Sequence, residues 1–303
     1  MELIFLGTSG SIPTKQRGLP SIALKVNGEI ILFDCAEGTQ RQMSLAHLSP
    51  MKVNSIFITH LHGDHFLGLA GLVQTLSLMD RKLLLDIYCP PGERERIDSY
   101  LHIPHYTLTF EVRIHELSPG DAVERGSYRI LTCGVEHTVP ALAYAFVEND
   151  RPGRFHPEKA EALGVRAGPD FSSLRSGQSL KLREGKIVKP EQVIGPSRPG
   201  RKIVYTGDTK LSEGIIDLAR GADVLIHDCT LANELAEMAA DNFHSTPRVA
   251  AEVAKLAAVK QLVLIHVSPR YDDDSVLLKQ ARESFPNTLV ARDLMVLGLP
   301  LQK

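Results

Sequence analysis

Within the stretch SIFITHLHGDHFLG, residues 55–68, three histidines and an aspartate fall close together as His60, His62, Asp64 and His65. Imidazole nitrogens and carboxylate oxygens are the usual ligands of zinc and related divalent ions, and a loop that follows a strand can aim His60 and His62, two residues apart, at one ion. Asp64 and His65 then face a second position. Taken alone the cluster also fits a polar loop, since a single histidine is most often a partly buried, hydrogen-bonded side chain. The rest of the chain decides between the two. Short β-branched runs recur and close on residues able to ligate a metal or move a proton: EIILFD ends at Asp34, YRILTCGVEH at His137, KIVYTGD at Asp208, DVLIHD at His227 and Asp228, and QLVLIH at His266. An H-x-H-x-D-H cluster followed by single His or Asp residues at later strand ends points to a metal site.

The elements that must position these residues alternate. Helical patterns lie at 66–79, 213–220, 247–258 and 275–284 between the apolar runs, which makes this an α/β chain. The helix beginning near 247 has a strong start signal, with Thr246 able to cap it and Pro247 suited to the first helical position. Strands this apolar suit two packed sheets covered by helices, with loops at one edge gathering the polar strand ends. We expect a single domain over residues 1–303, interrupted by the Pro- and Gly-rich segment 149–177, NDRPGRFHPEKAEALGVRAGPDFSSLRSG, which reads as an inserted flexible arm with a brief helical pattern around 157–163.

Composition bounds the function classes. The 303 residues are 43% hydrophobic and 23% charged, enough for a sizeable core. No apolar run approaches the roughly 20 residues that cross a bilayer, and MELIFLGTSGS reads as a first strand, so no membrane is expected. Cys35, Cys89, Cys133 and Cys229 are far apart without CxxC spacing, which suits free buried thiols in a reducing cytoplasm. The net charge of −2 argues against a uniformly basic nucleic-acid binder, yet residues 150–202 hold twelve Lys/Arg against six Asp/Glu, a local +6 that leaves −8 for the remainder. Such a segment is either an electrostatic footprint for a polyanion or a solvated arginine-rich loop.

The metal pattern resembles the metallo-β-lactamase superfamily. The resemblance implies a four-layered αβ/βα sandwich with a two-metal site at one edge of its sheets. It implies that His60, His62 and His137 hold one zinc, that Asp64, His65 and His266 hold the other, and that Asp208 bridges them, with manganese or magnesium as the alternative ions. Two dications set against Asp64, Asp208 and a shared hydroxide leave roughly +1, which favours an anionic, phosphate-like transition state. Metal coordination brings the pKa of water toward ~7, and Asp64 can orient the nucleophile or take its proton. In the diiron flavoprotein branch a glutamate stands where this chain has His62, so redox chemistry is disfavoured.

The finer motifs are similar to the tRNase Z family over nearly the whole chain: FLGTSGSIPT (5–14), DCAEGTQRQ (34–42), THLHGDHFLGLAGL (59–72), ALGVRAGPDFSSLRSG (162–177), VYTGDT (204–209), FHST (243–246) and LIHVSPRY (264–271). This resemblance implies a cytoplasmic endoribonuclease that trims 3′ trailers from precursor transfer RNA and leaves a 3′ hydroxyl. It implies an arm carrying Gly168 and Pro169, with Arg151 and Arg154 among its basic residues, that grips the transfer RNA away from the cut. It further implies a homodimer in which the arm of one subunit serves the other. His244 is expected to protonate the leaving 3′ oxygen or steady the phosphate, and Asp228 to orient it. Without the resemblance, His244 reads as a capping-loop histidine. The family usually has a glutamate in an H-E-A-T motif where this chain reads HDCT, so Asp228 is one methylene shorter; Ala36 likewise replaces a common glycine. Asp34 is expected to brace the metal loop, and Arg270 with Tyr271 to meet phosphate or stack on terminal nucleotides. The rival readings are a hydrolase of a small phosphodiester or thioester on the same scaffold, for which the basic arm has no use, and a non-catalytic RNA-binding module, which the complete donor set opposes.

Overall fold

The β-branched runs form strands of two sheets. In the computed structural model, which describes residues 1–301, the chain separates into one compact unit built from Met1–Val147 and Arg201–Pro300 and another built on Glu148–Gly200. The first unit carries β1 (Glu2–Gly7), β2 (Ser21–Val26), β3 (Glu29–Phe33), β4 (Val53–Phe57), β5 (Leu85–Cys89) and β6 (Val112–Glu116), followed by β7 (Ala122–Arg125), β8 (Tyr128–Gly134) and β9 (Leu142–Glu148). Strands β10 (Leu180–Lys181) and β11 (Ile187–Val188) belong to the second unit. The chain then returns through β12 (Lys202–Tyr205), β13 (Val224–Asp228), β14 (Leu262–Ile265), β15 (Thr288–Val290) and β16 (Val296–Gly298).

One seven-stranded sheet has the order β16-β1-β2-β3-β4-β5-β6 and the other β15-β14-β13-β12-β9-β8-β7. Pairing is parallel from β3 to β6 and from β12 to β15. Parallel strands are covered on both faces, and β5, β13 and β14 are buried along their whole length. The alternation of side chains then sorts the layers. Phe5, Phe33 and Phe57 of the first sheet meet Tyr144, Tyr205 and Ile226 of the second in the central core. Ile4, Leu32 and Ile56 point the other way, toward the first helical layer, and Val204, Leu225 and Leu264 toward the second.

The helices are α1 (Thr39–Leu45), α2 (Gly63–Phe66), α3 (Leu69–Leu78) and α4 (Arg94–Leu101); then α5 (Pro157–Ala162) and α6 (Pro169–Arg175) in the second unit; then α7 (Glu213–Ala219), α8 (Ala236–Asp241), α9 (Pro247–Leu256) and α10 (Ser275–Arg282). Helices α1, α3 and α4 cover the first sheet, and α7, α9 and α10 the second, which gives the expected αβ/βα sandwich. Helices α3, α7, α9 and α10 lie within a few residues of their expected bounds, whereas α1, α4 and α8 have no counterpart among the expected helices. Thr246 occupies the cap position of α9 with extended backbone, but its side chain makes no capping bond; Pro247 at the first helical position is the start signal that operates. Among the described residues all four cysteines are free, and no helix is long and apolar enough to cross a membrane.

The second unit has a core of its own. Ala160, Val165, Leu174, Val188 and Val193 are buried together, with Phe155 and Phe171 packed against them. Backbone bonds between Arg151 and Arg198, 2.9 Å in both directions, and from Gly195 N–H to the Arg154 carbonyl tie its two ends. The stretch 149–177 lies inside this unit. The unit's own boundaries also reduce its charge excess: Glu148–Gly200 holds ten Lys/Arg against seven Asp/Glu, or +3. Two of the three charges are lost because Lys202 begins β12 and buried Arg201 donates to the Leu299 carbonyl at 2.8 Å, both within the first unit, and the third because the unit begins at Glu148. Leu174→Ala removes the centre of this small core. We expect it to cost about 2–4 kcal/mol locally, read as faster amide hydrogen exchange confined to residues 148–200 with the sheets of the first unit unaffected.

Candidate metal centre and the groups that orient it

Parallel strands deliver their carboxyl ends to one edge of a sheet, where α/β folds place ligands. Asp34 directly follows β3, Asp228 is the last residue of β13, and His266 directly follows β14. His60 lies just past β4, His137 past β8 and Asp208 past β12, while His62 caps α2, which carries Asp64 and His65. Asp34 and His266 both turn the chain with positive φ, 57° and 62°. Such conformations cost a non-glycine residue on the order of 1–3 kcal/mol and persist where surrounding bonds hold them.

The side chains converge in two groups. In the first, His62 Nδ1 lies 3.1 Å from His60 Nε2 and 3.0 Å from His137 Nε2, and Asp208 Oδ2 is 3.8 Å from His60 Nε2. In the second, Asp64 Oδ2 lies 3.3 Å from His266 Nε2 and 3.8 Å from His65 Nε2. Asp208 faces both groups, with Oδ1 3.3 Å from His65 Nε2 and Oδ2 3.2 Å from His266 Nε2. The ligand atoms of His60, His62, His137 and Asp208 all lie within 4.8 Å of one another, as do those of Asp64, His65 and His266. Buried His65 Nε2 has no hydrogen-bond partner. Leaving such an atom unmatched costs about 1–3 kcal/mol, and a divalent ion among these donors is the partner its lone pair fits. The donor set of imidazoles and carboxylates is that of a metal-binding site.

The ring nitrogens that face inward are selected by the bonds on the other side of each ring. Asp34 is fully buried and accepts from Thr59 N–H at 2.7 Å, Thr59 Oγ1 at 3.0 Å and Tyr205 OH at 2.8 Å. A carboxylate only accepts, so His65 Nδ1, 2.7 Å away, carries the proton and Nε2 keeps its lone pair. Because Thr59 gives its hydroxyl proton to Asp34, its oxygen accepts from His60 Nδ1 at 3.0 Å, which likewise frees His60 Nε2. The second sheet repeats the device. Thr230 Oγ1 donates to Asp228 Oδ1 at 2.6 Å and accepts from His266 Nδ1 at 2.8 Å. Thr59 and Thr230 were not foreseen; the signals were present as ITH leading into the cluster and HDCT across the end of β13, but hydroxyls beside apolar runs look like ordinary strand residues.

Burial pushes His60, His62 and His137 down from the usual imidazole range, the neutral form a metal ligand requires. Burial would do the same to His65, but the Asp208 and Asp34 carboxylates hold it well above its ordinary value, so a metal ion at Nε2 must displace a proton there. Burial also acts to raise Asp64 and Asp208, and is outweighed by the neighbouring His65 and His266 rings, so both carboxyls lie well below the usual range. His244 differs from the donors. Its Nδ1 lies 3.0 Å from Asp228 Oδ2, and although burial lowers it, that carboxylate lifts it to about 9, so it is an imidazolium at neutral pH. The shorter Asp228 therefore reaches His244, and the same Oδ2 also accepts from Ser245 N–H at 3.1 Å and Thr209 N–H at 3.2 Å.

These groups open into a cavity of about 550 Å³ lined by His62, Asp64, His137, Asp208 and His244 together with Ser11, Ile12, Pro13 and Leu67. Arg270 is exposed beside Met238 and does not line it. Tyr271 is committed elsewhere: its ring packs on the second-sheet core and its hydroxyl accepts from Ala232 N–H at 2.8 Å. Arg151, Arg154, Gly168 and Pro169 lie in the second unit. Gly168, with φ 132° and ψ −138°, has a backbone that only glycine adopts readily, and Pro169 opens α6.

Residues 29–171 and 183–267 match the family model described as a beta-lactamase superfamily domain. The chain is 47% identical over 301 residues to ribonuclease Z of Methanosarcina mazei, covering 99% of this chain and 98% of the relative. It is 49% identical over 295 residues to ribonuclease Z of Methanothermobacter thermautotrophicus, covering 97% and 95%. Among solved structures it is similar to human tRNase Z, short form, with TM-score 0.73, 29% identity and coverage of 99% and 100%. The metallo-beta-lactamase fold protein YhfI of Bacillus subtilis, at TM-score 0.71 and 17% identity, shares the fold.

Asp34→Asn keeps the shape of the buried side chain but replaces an acceptor oxygen with a donor beside His65 and Thr59. Divalent-metal affinity is expected to fall roughly 10–100-fold, measured by competition with a chromophoric chelator. Unchanged affinity would remove Asp34 from its bracing role.

Proposed function

We propose, on the premise that the chain belongs to the ribonuclease Z family of metallo-β-lactamase-fold enzymes and is a tRNA 3′-processing endoribonuclease, that it cuts with two zinc ions and the His244–Asp228 pair. His60, His62 and His137 would hold one ion and Asp64, His65 and His266 the other, with Asp208 facing both groups. Manganese and magnesium are the alternative ions. When bound, the ions acidify water toward neutral pKa and offset the charge of the scissile phosphate. The protein's own groups do the rest. Asp64, held by the Ser11 N–H at 2.7 Å and kept far below the usual carboxyl range, is a weak base, and we assign it to orienting the attacking water. His244, charged at neutral pH and 3.9 Å from Asp208, gives its proton to the departing 3′ oxygen and so leaves a 3′ hydroxyl. Asp228 holds the ring and stabilises its charge.

The observation that carries this reading is the 3.0 Å contact between His244 Nδ1 and Asp228 Oδ2 beside the converging donors: His244 also comes within 4.8 Å of Asp208 and His266, but its ring is held by a carboxylate of its own. The basic excess of Glu148–Gly200 supports assigning Arg151, Arg154, Gly168 and Pro169 to the body of the transfer RNA, through phosphate contacts that weaken with salt. Arg270, exposed and outside the cavity lining, suits a phosphate further along the strand. Exposed Leu78, Met79 and Leu83, around the end of α3, support a homodimer through an apolar contact. The free thiols and the substrate suit the cytoplasm.

Native mass spectrometry of the purified protein is expected to show a dimer with two zinc ions per chain. That protein should cut a 3′-extended transfer-RNA precursor once at the trailer junction, lose the activity to a chelator and regain it with zinc. An intact precursor under every divalent-metal condition would reject the substrate assignment. His244→Ala should lower single-turnover cleavage by about 10²–10⁴-fold while zinc content stays at the wild-type level; parallel loss of both would assign His244 to the metal site instead.

A further inference from the structure

The loop between β1 and β2 holds together two donors that come from different sheets. Asp64 reaches the site after β4 of the first sheet and His266 after β14 of the second. From the end of β1 the loop crosses to the second sheet: Val267 N–H donates to the Thr8 carbonyl, Gly10 N–H donates to the Val267 carbonyl, both at 3.0 Å, and Ser9 bridges Val267. One residue later Ser11, at φ 60°, turns its N–H onto Asp64 Oδ2 at 2.7 Å. Between these contacts Gly10 lies against the face of His266. A methyl group there would sit 2.6 Å from both Cε1 and Nδ1 of the ring and 3.1 Å from Cγ.

The ring has no room to retreat. Its Nδ1 is tied to Thr230 Oγ1 at 2.8 Å, it stacks with His244 at 5.1 Å and His65 at 5.3 Å between centroids, and it is buried. Ordinary carbon contacts lie near 3.5–4.0 Å, so a side chain at position 10 requires a displacement of about 1 Å. Gly10 is not among the positive-φ glycines, so its backbone accepts alanine and the constraint is the space occupied by the ring.

We propose that Gly10 is a positioning residue for His266, and that the Gly10–Ser11 turn sets the second donor group by seating His266 and Asp64 together. The consequence for metal content rests on the two-zinc reading above; the steric coupling between Gly10 and His266 does not.

Gly10→Ala, His266→Ala, the double variant and the wild type form a cycle, read by zinc per chain and by the thermal midpoint of the chelator-treated protein. Gly10→Ala should hold about one zinc instead of two, keep the group of His60, His62 and His137 filled, lose about 10²-fold in precursor cleavage, and melt below the wild type. In the His266→Ala background the ring is gone, so the same alanine should lower neither the midpoint nor the zinc content further. If Gly10→Ala alone fails to fold, the double variant is expected to fold like His266→Ala. Two zinc ions retained by Gly10→Ala, or an equal loss of midpoint with and without the ring, overturns the proposal. A wild type holding a single zinc rejects the two-zinc reading instead, while the midpoints still decide whether Gly10 and His266 are coupled.

Discussion

A neutral imidazole offers a lone pair from one nitrogen and a proton from the other, and the edge of this sandwich is organised by which nitrogen does which. His60 and His65 turn Nε2 inward because Asp34 and Thr59 engage their Nδ1 atoms; His266 does so because Thr230 engages its Nδ1. Each threonine must accept from its imidazole, because its one hydroxyl proton is given to a carboxylate. The chain of cause therefore begins at Asp34 in one sheet and Asp228 in the other. Remove either acceptor and the hydroxyl is free to turn around, after which the ring can present a proton where a lone pair is required.

Burying two carboxylates is costly unless every lone pair is met. Asp34 is met by Thr59 through both its backbone and its hydroxyl, by Tyr205 and by His65; Asp228 by Thr230, Thr209, Ser245 and His244. These bonds also hold strained backbone, since Asp34 and His266 both sit in the left-handed region. Tyr205 joins the arrangement from β12 of the opposite sheet, so the central core and the polar edge share a residue: its ring packs on Phe33 while its hydroxyl serves Asp34. Packing of the two sheets and orientation of the donors are thus linked through Tyr205.

Much of this was legible in the chain because strand periodicity and ligand chemistry leave local marks. The cluster at His60 to His65 follows a five-residue strand, and His137, Asp208 and His266 follow others, so the donors and their strand-end positions could be read before any contact was known. What could not be read were properties of the third dimension. Thr59 and Thr230 look like strand residues until their hydroxyls are seen between a carboxylate and a ring. Tyr271 is an exposed-looking aromatic beside a functional histidine, yet Ala232 N–H and the second-sheet core take it up. The basic excess of the second unit falls from +6 to +3 because the unit leaves out Arg201 and Lys202 and takes in Glu148, a boundary that composition does not mark. Its hydrophobic residues are too dispersed in sequence to announce the small core that Leu174 and Val188 share.

An aspartate at position 228, where the family resemblance implies a glutamate, fits the same geometry. A carboxylate whose only duty was to reach His244 would gain reach from an added methylene. Asp228 instead ends a strand, with Thr206 Oγ1 bonded to its own N–H at 3.2 Å, and its two oxygens divide the work: Oδ1 takes Thr230, while Oδ2 takes His244 and two backbone N–H groups from separate loops. Those N–H groups at Thr209 and Ser245 bring both loops in to the short side chain. The loop bearing Asp208 and the loop bearing His244 are consequently anchored to one carboxylate, which sets His244 and Asp208 at a fixed separation. The lost reach is made up by the backbone, and the distance that matters for chemistry, from His244 to the donor edge, is held by three bonds to a single oxygen.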